Sequence, residues 1–168
     1  MNPYYEDADS GITIYHGDCL EVLAGFADKQ VGVCLSDPPY GVGVLYGSKT
    51  NDKRLDYWEW MRLAVAEMVR VSEVTAFTHR VAALSELTGW DWIGCWNKPW
   101  SSGARVGNSC LLPHWEPIFM YGVHGAGTKS DYTSDVFTAK PSESRSKNSI
   151  ARSRPRRLAQ GVFDLAAS

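Results

Sequence analysis

The sequence lacks the features that mark membrane, secreted and zinc-stabilised proteins. It has no apolar run near the ~20 residues that span a bilayer. Its acidic start, MNPYYEDADSG, has neither the basic region nor the apolar core of a signal peptide. The four cysteines are scattered and form no Cys-x-x-Cys pair, so we expect no metal site. We therefore expect a cytoplasmic protein that avoids membranes and has reduced, mostly buried thiols.

A phosphate-binding loop is also missing. No Gly-x-x-x-x-Gly-Lys-Ser/Thr segment occurs, which argues against a nucleotide-binding domain of that type. The 168 residues, 44% of them hydrophobic, suffice for one domain with a core. Residues 1–139 carry 17 acidic and 10 basic side chains, whereas residues 140–168 carry 2 and 7. We expect an α/β domain over 1–139 and a basic, disordered tail over 140–168.

Alternating strand and helix patterns predict the α/β class. Ile12–Tyr15 is β-branched and aromatic, Cys19–Phe26 has helical spacing with Asp18 as its N-cap, and Val31–Leu35 is apolar on both faces. Strand, helix and apolar strand are typical of a βαβ unit in a parallel sheet. Further patterns predict a loop over Gly41–Asp56, helices over Tyr57–Val71 and Arg80–Leu87, and strands over Val74–Thr78, Trp92–Trp96 and Pro117–Tyr121.

The apolar strand at Val31–Leu35 ends in Ser-Asp-Pro-Pro-Tyr-Gly. Prolines donate no backbone hydrogen bond, so the sheet cannot continue through them, and ligands bind beyond the carboxyl ends of parallel strands. Asp37 offers an acceptor-only carboxylate and Tyr40 a flat ring with a polar tip. This combination suits the exocyclic amine of a flipped nucleic-acid base. The alternative interpretation is an ordinary turn.

These residues carry a resemblance to a known family. The segment HGDCLEVLAGFADKQVGVCLSDPPYGVG resembles the amino-terminal part of the DNA amino-methyltransferases of phages and restriction-modification systems. The likeness covers about Ile12–Thr138 and continues in RLAVAEMVRV, CWNKPW and HWEPIFMYG. It implies a Rossmann-like methyltransferase fold, with a mostly parallel sheet flanked by helices, in a bacterial or phage-infected cell. It also implies S-adenosylmethionine as cofactor and double-stranded DNA with a flipped target base as partner, in an unspecified oligomeric state.

The resemblance assigns roles to individual residues. Asp37 and the Pro38 carbonyl would accept hydrogen bonds from the target amine, Pro39 would shape the turn, and Tyr40 would stack on the base. The methyl group would pass directly to the amine, and Asp before the prolines favours adenine. Asp18 and Asp37 would lie against the cofactor, Asp18 near its adenine end. For Asp18, helix capping alone is the alternative.

A second set of residues would face DNA. Lys98, Arg105 and His114 lie in the segment expected to approach DNA, where phosphate contacts favour basic side chains. A solvated loop face is the alternative for them. For His79 and Arg80 two interpretations stay open: contact with a ligand, or the start of the next helix. Three tryptophans are candidates for DNA contact or core packing, and Trp96 is the one we expect in the core: Trp96, Trp100 and Trp115.

Two family motifs are missing from these residues. Neither a segment like Asp-Pro-Phe-x-Gly-Ser-Gly-Thr nor one like His-Pro-x-x-Lys-Pro occurs, and we interpret Gly122–Thr128 as a loop. We therefore expect an incomplete fold, truncated or frameshifted after about Lys140. The arginines within 152–157 are alternatively a DNA-binding arm or part of a solvated tail. Two functions stay open: a DNA adenine methyltransferase, or a catalytically inactive remnant that binds only DNA or a partner.

Overall fold

A computed structural model describes residues 2–43, 45, 46, 50–99, 114–123 and 133–138. The chain divides into two compact units. The first unit comprises Met1–Cys34 and Gly41–Glu73, and the second comprises Leu35–Tyr40 and Val74–Ser168. Within the described residues, no helix is both long and apolar enough to cross a bilayer.

The first unit begins with a hairpin. Strand β1 (Tyr5–Asp7) pairs antiparallel with β2 (Ile12–Ile14) in a separate two-stranded sheet. The expected βαβ unit, with β2 as a strand of the main sheet, is therefore wrong. The reason is local, because the Asp7 carboxylate accepts hydrogen bonds in the turn, one of them from Ser10 at 2.6 Å, and Gly11 supplies a φ of +66°.

Helix α1 (Cys19–Ala24) ends before the expected Phe26. Oδ1 of Asp18 accepts a hydrogen bond of 2.9 Å from the backbone N–H of Leu20, so Asp18 is the N-cap that the sequence predicts. Where we expected only a loop, strands β4 (Leu45–Tyr46) and β5 (Thr50–Asn51) form a short antiparallel hairpin.

Helix α2 (Tyr57–Val71) has the bounds that its apolar stripe predicts. Its buried side chains recur every three or four residues: Tyr57, Met61, Ala64, Val65, Met68 and Val71. Arg70, in the last turn, ties α2 to the segment around the end of α1. Its guanidinium donates to the carbonyls of Leu23 and Phe26 and to the carboxylate of Asp28, at 2.7–3.0 Å.

The main sheet has five strands in the order β3-β6-β8-β7-β9. β8 runs antiparallel to both β6 and β7, and β7 runs parallel to β9. The α/β class is confirmed, but the described sheet is mixed instead of mostly parallel, because β8 is inserted in the reverse direction. The strands are β3 (Val31–Ser36), β6 (Ser72–Thr78), β7 (Trp92–Asn97), β8 (Trp115–Tyr121) and β9 (Val136–Thr138).

The core of the second unit lies on β6 and β8. Phe77 pairs with Phe119 across these strands, and their rings stack with centroids 5.2 Å apart. β3 is less buried than its apolar sequence suggests, with Leu35 40% exposed. β3 lies at the end of the order of the described strands, and within that part of the chain it has a neighbour on one side only.

Several smaller expectations need correction. The helix expected over Arg80–Leu87 is a 3₁₀ turn, η1 (Val81–Ser85), and β9 was not expected. Cys19 is exposed, and Cys34 and Cys95 are half-buried, so none of these free thiols is fully buried. The remaining expectations concern residues outside the described ranges: Cys110, residues 140–168, and the 122–128 segment except Gly122 and Val123.

Candidate functional site

The Asp-Pro-Pro-Tyr segment directly follows β3, within the second unit. The hydroxyl of Thr78, the last residue of β6, donates a hydrogen bond of 2.8 Å to Oδ1 of Asp37. Thr78 is buried, whereas Asp37 is exposed. A buried hydroxyl therefore fixes the orientation of a carboxylate that solvent, or a ligand, can reach.

The Tyr40 hydroxyl lies between two oxygens. It is 2.9 Å from Oε2 of Glu116 and 3.2 Å from Oγ1 of Thr78. Ionised carboxylates only accept hydrogen bonds, and each hydroxyl has one proton to donate. The shorter distances therefore assign the Thr78 proton to Asp37 and the Tyr40 proton to Glu116.

The Tyr40 ring is supported on one face by His79. The two rings stack with centroids 4.9 Å apart and an interplanar angle of 17°. Nδ1 of His79 accepts the backbone N–H of Arg80 at 2.8 Å. Burial, helped by the Arg80 charge, lowers the pKa of His79 to about 4, so the imidazole is neutral near pH 7. Another ring can stack on Tyr40 only from the opposite face.

Glu116 has a cationic partner. The ammonium of Lys98 forms an ion pair with its Oε1 and lies 4.9 Å from the centroid of the Trp96 ring. The Lys98 and Glu116 side chains are only 18% and 17% exposed. Lys98, which we expected to face DNA phosphates, is thus directed into the protein, where it neutralises the acceptor of the Tyr40 hydroxyl.

The second unit brings together most of the expected site residues. Asp37 to Tyr40, Lys98 and His114 all lie in it. The backbone N–H of Lys98 donates a hydrogen bond of 2.6 Å to the carbonyl of His114. Asp18 lies in the first unit. Trp96 is half-buried and Trp115 is 39% exposed. Arg105 and Trp100 lie outside the described residues.

Sequence reasoning missed Thr78 and Glu116. Each is a polar residue close to the end of an apolar strand, Thr78 at the end of β6 and Glu116 near the start of the antiparallel β8. Since β6 and β8 are antiparallel neighbours, these two ends meet at one edge of the sheet. A polar residue close to the end of an apolar strand was therefore the sequence signal that could have identified Thr78 and Glu116. Together the residues offer a fixed carboxylate beside an aromatic face, which suits a planar ligand bearing an N–H donor.

Comparisons with known proteins agree with this chemistry. A stretch of 40 residues is 35% identical to the Type II methyltransferase M2.MboI of Moraxella bovis, covering 24% of this chain and 15% of that protein. A stretch of 73 residues is 32% identical to the Type II methyltransferase M.BamHI of Bacillus amyloliquefaciens, covering 42% of this chain and 17% of that protein. These stretches of the chain are thus similar in sequence to Type II methyltransferases. No family model matches it.

The fold of the chain is similar to that of a solved DNA methyltransferase. The structure of the PvuII DNA methyltransferase (cytosine-N4-specific) superimposes with a TM-score of 0.51 at 12% identity, over 79% of this chain and 58% of that one. The Rossmann-like α/β fold is thereby confirmed. The matched stretches span only about a sixth of the curated relatives.

Proposed function

We propose that this chain is an S-adenosylmethionine-dependent DNA methyltransferase that acts on the exocyclic amine of a flipped base. The observation that carries the proposal is the hydrogen bond of 2.8 Å from Thr78 to Asp37, which presents a fixed, exposed carboxylate next to the Tyr40 ring. A base entering beside Asp37 stacks on the face of Tyr40 opposite His79. Its amine donates to the Asp37 carboxylate and to the Pro38 carbonyl, which direct the nitrogen lone pair away from both acceptors.

Asp18 is one of the two carboxylates, with Asp37, that we propose for S-adenosylmethionine. Oδ1 of Asp18 caps α1, while its Oδ2 meets no hydrogen-bond donor within the described part of the chain. That oxygen suits an amine or hydroxyl donor of a nucleoside. When bound, the cofactor supplies the methyl group. The chain's own part is to hold the target amine and to exclude other orientations of the base.

We propose adenine as the target. The Asp at position 37 supports adenine through the family resemblance, and the cytosine-N4 enzyme among the structural neighbours makes cytosine the competing target. A direct test distinguishes adenine from cytosine as the target base. The full-length chain is incubated with unmethylated double-stranded DNA and S-adenosylmethionine, and the digested nucleosides are analysed by mass spectrometry. N6-methyladenine supports the proposal, and N4-methylcytosine alone overturns the choice of base.

The role of Asp37 is tested by substitution. Asp37→Ala abolishes methyl transfer without unfolding the chain, because it removes an exposed carboxylate that accepts the target amine. Asp9→Ala is the matched control, since Asp9 is an exposed carboxylate in the β1–β2 hairpin of the first unit. Full activity in Asp37→Ala would refute the mechanism.

The second candidate function is a catalytically inactive remnant. These 168 residues contain no segment like the glycine-rich cofactor motif, so cofactor binding is the property of this chain to measure. Calorimetry with S-adenosylmethionine separates the candidates. A dissociation constant of about 1 μM, or about −8 kcal/mol, supports the enzyme. DNA binding without cofactor binding at millimolar concentration supports the remnant.

A further inference from the structure

We propose that Glu116 and Lys98 position Tyr40 for stacking on the target base, so that Lys98 serves the Tyr40 ring instead of a DNA phosphate. This inference rests on the proposed function. It gives a function to the contacts of Lys98 and Glu116, two residues of the second unit that lie outside the Asp-Pro-Pro-Tyr segment.

The first argument concerns the Tyr40 ring. A tyrosine ring has two torsional freedoms, and a stacking partner alone lets the ring slide and turn within its plane. His79 fixes the position of the Tyr40 ring along the direction perpendicular to its plane, because the two rings stack with centroids 4.9 Å apart. Glu116 fixes the far end of the ring through the hydroxyl hydrogen bond at 2.9 Å. Together they restrict the Tyr40 ring to one orientation.

The second argument concerns charge. A largely buried carboxylate is costly unless it is paired and hydrogen-bonded. The Glu116 side chain is 17% exposed and meets both conditions, since Oε1 pairs with Lys98 and Oε2 accepts from Tyr40. Lys98 is thereby the counter-ion of Glu116, and a carboxylate acceptor gives a stronger hydrogen bond to the phenol than a neutral acceptor does.

The third argument concerns the alternative task of Lys98. Its ammonium is held between Glu116 and the Trp96 ring, and its side chain is 18% exposed. Reaching a phosphate would remove the ammonium from Glu116 and leave a partly buried carboxylate without its counter-ion, which is unfavourable. Lys98 therefore cannot pair with Glu116 and contact a DNA phosphate at the same time.

Kinetics distinguish the two tasks. In Lys98→Met, a positioning role predicts a fall in kcat of about tenfold to one hundredfold, with KM for DNA and its salt dependence almost unchanged. A phosphate contact predicts the opposite, a higher KM and a shallower salt dependence with kcat unchanged, and would overturn the inference. Arg54→Met is the matched control, because Arg54 is an exposed cation of the first unit that also lies over a tryptophan ring.

Glu116 gives the second kinetic test. Glu116→Leu lowers kcat by about tenfold to one hundredfold, and Glu116→Gln, which still offers an oxygen acceptor to Tyr40, loses less. Equal losses in the two variants would contradict the role of the hydrogen bond. Glu73→Gln is the control, since Glu73 is exposed on β6.

A spectroscopic measurement keeps the inference separate from the proposed function. The full chain is labelled with ¹³C in its tyrosine rings, and the Tyr40 signals are assigned with Tyr40→Phe. Glu116→Gln and Lys98→Met shift the Tyr40 signals if the ion pair orients the ring, whereas Glu73→Gln does not. Unchanged Tyr40 signals overturn the inference whether or not the wild type methylates DNA. A wild type without methyl transfer, but with these shifts, refutes the proposed function alone.

Discussion

The hydroxyl of Thr78 donates a hydrogen bond of 2.8 Å to Oδ1 of Asp37, across 41 residues of sequence. Thr78 is only 1% exposed, so the packing around it holds its hydroxyl in place behind the carboxylate. The hydroxyl fixes the carboxylate rotamer before a ligand arrives. Because a buried partner preorganises the carboxylate, a substitution of that partner changes how the exposed carboxylate is oriented towards a ligand.

We predict that Thr78→Val lowers methyl transfer by about tenfold to one hundredfold, because a hydrogen bond to a charged group is worth about 1.5–3 kcal/mol. Valine has nearly the shape of threonine, so the fold is retained. Thr78→Ser keeps the hydroxyl and retains most of the activity. Thr13→Val is the control, since Thr13 is exposed on β2. The assay is the nucleoside analysis by mass spectrometry, and equal activities of the serine and valine variants would refute the role of the hydroxyl.

The stability of the fold depends on pH through His79. The folded-state pKa is lowered to about 4 by burial and by Arg80, against 6.5 in an unfolded chain. As the pH falls from 6.5 towards 4, the unfolded chain binds a proton that the folded chain does not, so the free energy of unfolding decreases. Above 6.5 both states are neutral, and this contribution is constant. The loss is at most about 3 kcal/mol.

We predict that His79→Phe removes this part of the pH dependence. Phenylalanine keeps a ring against Tyr40 but has no proton to bind, while the acceptor for the Arg80 N–H is lost and stability falls at every pH. Urea unfolding of both proteins between pH 6.5 and 4 measures the difference in slope. Parallel curves would mean that His79 is protonated to the same degree in the folded and unfolded states.

Gly41 follows Tyr40 and has a φ of +66°. A Cβ at Gly41 would lie 2.8 Å from the Tyr57 ring, whereas Gly11 has the same φ with nothing within 4 Å, and Gly32 has neither constraint. We predict a loss of about 2–5 kcal/mol for Gly41→Ala and about 1–2 kcal/mol for Gly11→Ala. Gly32→Ala is near neutral. Urea unfolding measures all three, and equal losses at Gly41 and Gly11 would contradict the close approach of Tyr57.

Local elements were predictable from sequence where one stretch of chain carries the whole signal. The apolar stripe over Tyr57–Val71 predicts α2 to the residue, and Asp18 before an apolar helix predicts its N-cap. The two-residue strands β4 and β5 are too short to show a period. The pairing of β2 with β1 depends on the turn chemistry of Asp7 and Gly11, which the strand pattern over Ile12–Tyr15 does not contain.

The site was predictable only in part, for a related reason. Asp37 and Tyr40 lie in one tetrapeptide that the family resemblance singles out. Their partners are distant in sequence, since Tyr40 and Glu116 are 76 residues apart. Such contacts depend on the strand order, and the reversed β8 brings Glu116 to the end of β6. A sheet expected to be mostly parallel would not have placed Glu116 there.

The last prediction concerns Asp18, for which capping and cofactor binding are separable. Asparagine caps a helix as well as aspartate, so Asp18→Asn retains the stability of the wild type, whereas Asp18→Ala loses about 1 kcal/mol. If the second carboxylate oxygen accepts a hydrogen bond from the cofactor, Asp18→Asn lowers the affinity for S-adenosylmethionine by about tenfold. Calorimetry against the wild type measures this, with Asp9→Asn as an exposed control. An Asp18→Asn variant that binds like the wild type would show that Asp18 is only a cap, and the search for the cofactor-binding carboxylate would move to Asp37.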